Sequence, residues 1–174
     1  MSNIIPEKAI NFSVYYDGED YLGTADGDLP SLEAMTDEVK GAGIAGKFDS
    51  VTLGHFDSLK LSLTWRTVTD AVIKLSHQKA HDIDLYAALQ DYDAGRGEYK
   101  TRSLHVYVKA IPKTIGLGKL TVAEKTDTKT EFELLYIKVE LDNKERIELD
   151  KLNYIFKVDG VDYLADVRSA LGKD

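Results

Sequence analysis

Three short stretches hold residue types and spacings that could do chemistry. Gly41-Ala42-Gly43-Ile44-Ala45-Gly46 satisfies GxGxxG, the spacing that brings backbone close to a pyrophosphate at a helix N-terminus. Asp91-Tyr92-Asp93 followed by Ala94-Gly95-Arg96-Gly97-Glu98 opens like a calcium loop, with oxygen ligands at its first and third positions. His77 and His81 stand four apart, so a helix would turn both imidazoles to one face, as zinc requires. Each motif fails on its surroundings. A dinucleotide loop lies between a buried strand and a helix, whereas Thr36 to Lys40 precedes this one and Lys47-Phe48-Asp49-Ser50 opens a β-rich stretch. The expectation is a flexible loop whose backbone approaches a neighbour closely. The calcium loop has Gly95 and Arg102 where a third oxygen and a bidentate glutamate belong, and an acidic hairpin tip is expected instead. The histidine pair has neither an HExxH glutamate nor a third ligand nearby. No GxSxG elbow or SxxK spacing occurs, so nothing positive supports a hydrolase. The sequence therefore predicts no catalytic, cofactor-binding or metal residues, and a protein that is not an enzyme.

The elements that would position such groups are mostly strands. Ile10, Phe12, Val14 and Tyr16 alternate up to Asp17-Gly18 and continue through Tyr21 and Leu22, the pattern of a hairpin about an Asp-Gly turn. Leu59, Leu61, Leu63 and Trp65 alternate with Lys60, Ser62 and Thr64, predicting a strand with one buried face. Ile83, Leu85, Ala87 and Leu89 repeat the pattern, and Leu104 to Ile111 follow the acidic loop. His105 then falls opposite Leu104 and Val106, at solvent or an interface. Phe132 to Leu141, Arg146 to Leu149 and Leu152 to Val158 complete the strands, joined at Asp142-Asn143 and near Asp150-Lys151. Pro6, Pro30 and Pro112 are expected at strand ends or turns.

Helical signal is confined to two places. Asp70 is expected to cap a short helix carrying Ala71, Val72, Ile73 and Leu75 and ending near His77. Val161, Leu164, Val167, Ala170 and Leu171 share a stripe, with Asp162 in the first turn, Arg168 near the last and Gly172 just past the end, predicting a C-terminal helix. Ser31 to Ser50, SLEAMTDEVKGAGIAGKFDS, fits no element well. Leu32, Met35 and Val39 suit either a short amphipathic turn or an extended arm. Such long connections tend to be functional or to order on a partner.

Composition narrows the class of function. At 174 residues, 43% hydrophobic and 30% charged, the chain suits one soluble domain spanning 1–174 with a core of its own. No apolar run approaches membrane-spanning length, and MSNIIPEKAINF lacks the basic start and apolar core of a signal peptide. Neither a membrane anchor nor export is expected, and synthesis in a cytoplasm is. Without cysteine there are no disulfides and no thiolate chemistry. A net charge of −8 repels nucleic-acid phosphate; that suits a passage along which DNA slides, and equally plain solubility. The ten tyrosines suit surfaces buried on assembly, or simply strands.

In order and spacing, several patches carry a family resemblance. They are Val14-Tyr15-Tyr16-Asp17-Gly18 with Tyr21-Leu22-Gly23, Leu29-Pro30-Ser31-Leu32, Gly41-Ala42-Gly43-Ile44 followed by Val51-Thr52-Leu53-Gly54, and Leu59 to Trp65. The strongest runs from Glu148-Leu149-Asp150-Lys151-Leu152-Asn153 through Val158-Asp159-Gly160-Val161-Asp162 to Leu171-Gly172. Together they resemble the major tail tube protein of contractile-tailed, myovirus-type phages and R-type bacteriocins. Residues 78–129 are similar only as a strand pattern. The resemblance implies a mainly β fold, a β-sandwich or half-barrel of antiparallel sheets with a short flanking helix and a C-terminal helix.

It also implies a virion component (or bacteriocin particle) whose hexameric rings stack into a hollow tube that conducts DNA or punctures an envelope. Ser31 to Ser50 would reach the adjacent ring, the first dozen residues and the last helix would cover the outer wall, and acidic side chains would face the lumen. The implied partners are further copies of the chain, a sheath, a tape-measure protein, a baseplate tube initiator and a tail terminator, with DNA only as passing, non-specific cargo. Assembly would take place in the host bacterial cytoplasm. No cofactor is implied. Two alternatives stay open: the tube of a related secretion or injection system, and a monomeric β-sandwich binding module with an apolar pocket.

Overall fold

A computed structural model describes residues 3–16, 18–20 and 24–173. Along the chain run β1 (Ile4–Tyr16), β2 (Glu19–Asp20), β3 (Thr24–Asp28), β4 (Ala34–Lys40), β5 (Lys47–Phe56), β6 (Lys60–Trp65) and α1 (Asp70–Lys74). Then follow β7 (His81–Asp93), β8 (Glu98–Gly116), β9 (Thr128–Leu141), β10 (Lys144–Asp150), β11 (Ile155–Val158), β12 (Val161–Asp162) and α2 (Ala165–Ala170). The fold is mainly β, with antiparallel pairing throughout and two short helices.

The main sheet has the order β12-β11-β10-β9-β8-β7-β1-β2, while β6 joins it through β9 and carries β3 on its other side. Two long strands make this possible. In β8 and β9, Leu104 to Lys109 pair with Tyr136 to Leu141, and Ala110 to Gly116 pair with Lys129 to Leu134. Register shifts at Lys109/Ala110 and Pro112/Thr114 separate the two halves; such bulges bend a strand so that it can serve two sheets. Pro112 thus lies inside β8 rather than at a strand end or turn. It is tolerated because the β7–β8 ladder has already ended at His81↔Ala110, so one side of β8 needs no N–H there.

The core lies between the layers. Leu59, Leu61, Leu63 and Trp65 are wholly buried, as their alternation predicts, against Ile83, Val108, Phe132 and Leu134. Val72 and Leu75 bring α1 onto the same cluster. The cap of α1 is Thr69, and Asp70 is the first helical residue; the helix also stops at Lys74, short of His77.

The turns follow residue chemistry. Asp142 and Asn143 both take positive φ, 52° and 62°, the two-residue geometry that matches strand twist in a hairpin. Tyr16 pairs with Glu19 across Asp17-Gly18, although Asp17 and Tyr21 to Gly23 lie outside the described residues. At the C-terminus, Val161 and Asp162 form a strand against Lys157 and Val158 instead of opening the helix. Asp159 and Gly160, at φ of 50° and 82°, fold them back. Asp162 still serves the helix: its carboxylate accepts from the Leu164 amide (3.1 Å) and from the Arg168 guanidinium (2.6 Å). The helix closes where expected. Gly172 at φ 68° lets its own N–H reach the Ser169 carbonyl and the Lys173 N–H reach that of Arg168, satisfying carbonyls that would otherwise be orphaned.

Candidate assembly surfaces

Residues 34–56 resolve the open choice of the sequence in favour of an extended arm. Strands β4 and β5 form their own two-stranded sheet, from Lys40↔Lys47 at the tip to Ala34↔Phe56 at the base. The GxGxxG stretch is the tip, closed by backbone hydrogen bonds between Ile44 and Gly41 and between Gly46 and Ile44. Met35, Phe48, Val51 and Leu53 stand exposed along it, Val51 at 61%. Val39 and Phe48 pair directly across the ladder, and so do Thr36 and Val51 three residues further on, an odd step that puts apolar side chains on both faces. An isolated two-stranded hairpin is marginal in water, and this one carries no buried face.

The base of the arm is fixed. Gly54 has φ 64°, and a Cβ there would lie 2.6 Å from Leu164, the buried residue just before α2. Phe56 meets Phe156 edge-on at 4.9 Å, and His55 meets Tyr154 at 6.4 Å. The C-terminal unit, β11 to α2, is therefore the socket on which the arm stands. That unit and its flanks leave Leu152, Val161, Tyr163 and Leu171 exposed.

A second surface is an open sheet edge. Among the described residues, Ile4 to Val14 of β1 pair with β7 alone, because β2 reaches only Tyr15 and Tyr16. Ile4, Ile5 and Ile10 are exposed on it. Two bulges, at Pro6/Lys8 and Ala9/Asn11, interrupt its ladder, as edges that must avoid indiscriminate pairing commonly do.

A third surface is the polar face of the main sheet. His105 is set there, as its alternation predicts, and pairing brings it between two carboxylates: Nε2 lies 2.6 Å from Asp84 and Nδ1 lies 3.1 Å from Glu140. Tyr86 stacks on its ring at 4.2 Å. The His105 hydrogen bond holds Glu140 below the usual carboxylate range. Tyr107 donates to Asp82, and burial followed by that bond pushes its hydroxyl up to about 12. Tyr136 donates to Glu148 and is raised for the same two reasons. The sequence gives no hint of this network, since Asp84, His105 and Glu140 meet only through the registers Tyr86↔His105 and His105↔Glu140.

The remaining sequence candidates have structural employment. Residues 91–98 form the expected hairpin tip, where buried Asp93 accepts from the Gly95 and Arg96 amides and from Lys100. His81 is buried in β7, its Nε2 donating to the His77 carbonyl and its Nδ1 against the Tyr16 hydroxyl. No helix carries the two histidines together. The arm, the C-terminal unit and the β1 edge all present exposed apolar side chains, whereas the polar face of the main sheet is internally bridged.

The family model of phage tail tube protein FII matches residues 6–172. The chain belongs to this family. It is 30% identical to the tail tube protein of Escherichia phage P2, over 97% of this chain and 98% of that one. It is 26% identical to the major tail tube protein of Serratia phage KSP20, over 97% of each. In fold it is similar to the sheath/tube terminator of an extracellular contractile injection system, with a TM-score of 0.51 and 13% identity, covering 75% of this chain and 94% of that one. The phage tail tube family is structural and non-enzymatic. Among the described residues, the sequence patches that resemble tail tube proteins fall on the end of β1, between β3 and β4, on the arm, on β6 and on the stretch from β10 to α2.

Proposed function

We propose that residues 1–174 act as one tail-tube unit, copies of which close into hexameric rings and stack into a hollow tube. The observation that carries this reading is the β4–β5 arm, a hairpin with apolar residues on both faces and nothing of its own to bury them. Burial by neighbouring copies would supply what a lone hairpin lacks. The open edge of β1 would likewise find a partner in a closed ring, which removes free edges.

On this reading the arm reaches the adjacent ring. The polar face of β7 to β10 lines the passage, its acids bridged to histidine, tyrosine and lysine so that a passing phosphate backbone meets no free grip. The tube either conducts DNA or punctures the target envelope. A sheath surrounds it, a tape-measure protein fills it during assembly, a baseplate initiator starts it and a terminator ends it, all within the bacterial host's cytoplasm. The chain works through these surfaces, without catalytic, cofactor or metal residues.

Negative-stain electron microscopy of the concentrated protein tests the reading. Uniform hollow tubes or six-fold rings are expected. Monomers at every concentration, even with purified baseplates as nuclei, would refute it.

A further inference from the structure

The ladder of the arm is broken once, near its base. Ala34 pairs with Phe56 and Thr36 with Val51, so Thr52, Leu53, Gly54 and His55 of β5 face Met35 alone. An ordinary bulge inserts one residue, which already bends its strand and re-aims it; this one inserts three. Within it Gly54 takes φ 64°, and His55 Nδ1 donates to the Leu53 carbonyl at 2.7 Å. Below the bulge the root is fixed. Leu32 and Phe56 pack against the core, and the Asp57 N–H donates to the Glu33 carbonyl at 2.8 Å. Above it, no residue of the arm from 35 to 53 is buried. The angle between root and arm is therefore decided within the bulge.

One side chain of the body enters that bend. Leu164 fills the space a Cβ on Gly54 would need, with Cγ and both Cδ carbons within 2.8 Å of that position. Leu164 is 2% exposed and is itself held: its N–H donates to Asp162 (3.1 Å), and its carbonyl accepts from the Arg168 N–H of α2 (2.9 Å). The bend is not packed solid, since a cavity of about 180 Å³ lies between Phe56, Lys151, Tyr154 and Leu164. A shorter side chain at 164 leaves the bulge room to settle at another angle. The ladder from Thr36↔Val51 to Lys40↔Lys47 extends about 15 Å beyond the bulge, so a turn of about 15° there displaces its end by about 4 Å.

We propose that Leu164, seated in this bulge, is the positioning residue that sets the direction of the β4–β5 arm and, through it, the twist between successive rings. The direction of the arm is a property of the single chain; its bearing on twist rests on the tube reading.

The cysteine-free sequence accepts spin labels at chosen sites. With Lys47→Cys at the end of the ladder and Lys109→Cys on the exposed surface of β8, double electron–electron resonance on the unassembled chain should give one narrow distance. Leu164→Ala should shift it by about 4 Å or broaden it by as much. Leu164→Val should do the same to a smaller degree, and carries the test where the alanine variant does not fold. Leu164→Met refills the space and should keep the wild-type distance. Leu61→Ala, a truncation within β6 that also costs stability, should leave the distance unmoved. A broad wild-type distribution, or folded Leu164→Ala and Leu164→Val chains with the wild-type distance, overturns the positioning role. So does an equal shift in Leu61→Ala, which would assign the effect to a loosened body. In tubes, helical reconstruction of Leu164→Val should give a twist different from wild type; an unchanged twist beside a shifted distance overturns the link from arm to ring. Wild-type protein that never forms tubes removes the tube reading, and the distances alone then decide the role of Leu164.

Discussion

Strand β6 and the β4–β5 hairpin are neighbours in sequence and opposites in energetics. Leu59, Leu61, Leu63 and Trp65 are wholly buried, and β6 has partners on both sides. Met35, Phe48, Val51 and Leu53 are as apolar and stand in water, in strands that pair, among the described residues, only with each other. One stretch completes its burial within the chain; the other leaves burial to whatever it meets. A subunit that must fold alone and polymerise later needs both kinds of strand, and here a three-residue link separates them.

Leu61→Ala should do the greatest damage. It opens a cavity where β6 and β9 meet, and should cost about 2–5 kcal/mol of unfolding free energy in a urea titration, with assembly lost at temperatures where wild type survives. A loss under ~1 kcal/mol would mean the body is less tightly packed than its burial indicates. Deleting Gly41 to Gly46 strikes the other region. The urea midpoint should stay near wild type while tube growth stops; tubes of normal length from the shortened chain would remove the arm from stacking.

Gly54→Ala falls on the junction and should affect both sides less severely. A Cβ at positive φ against Leu164 should cost about 1–3 kcal/mol and loosen the arm, seen as faster amide exchange in residues 47–56. Unchanged exchange would detach the arm's order from its socket. The smallest effect concerns the hairpin tip. The Lys100 hydrogen bond holds the Asp93 carboxyl below its ordinary 3.8. A pKa lowered by folding stabilises above the ordinary value and loses that contribution as pH falls through the folded one. Asp93→Asn should therefore be less stable than wild type at neutral pH, with the gap closing below about pH 4. A gap independent of pH would mean that the Asp93 charge plays no part.

The body was readable because its burial is periodic. Alternation in 59–65 and 83–89 marks inward faces that β6 and β7 do present, and Asp142-Asn143 marks a turn whose positive φ those residues tolerate. Residues 31–50 were not, because Met35, Val39 and Phe48 have no buried face in this chain to alternate toward. The helical stripe from Val161 misled for a related reason. Asp159-Gly160 turns the chain back early, so Val161 and Asp162 are strand before α2 begins. The polar cluster around His105 depends on the pairing of three strands and has no signature along any one of them.

Strand β9 is bonded to β6, β8 and β10 at once, and this imposes an order on synthesis. Trp65 leaves the ribosome long before Thr128, its ladder partner, and contacts so distant in sequence form slowly. Until β9 arrives, β6 has only β3, already made, along one edge, and its other edge is open. Chains that met before β9 was made would meet with that edge of β6 still open.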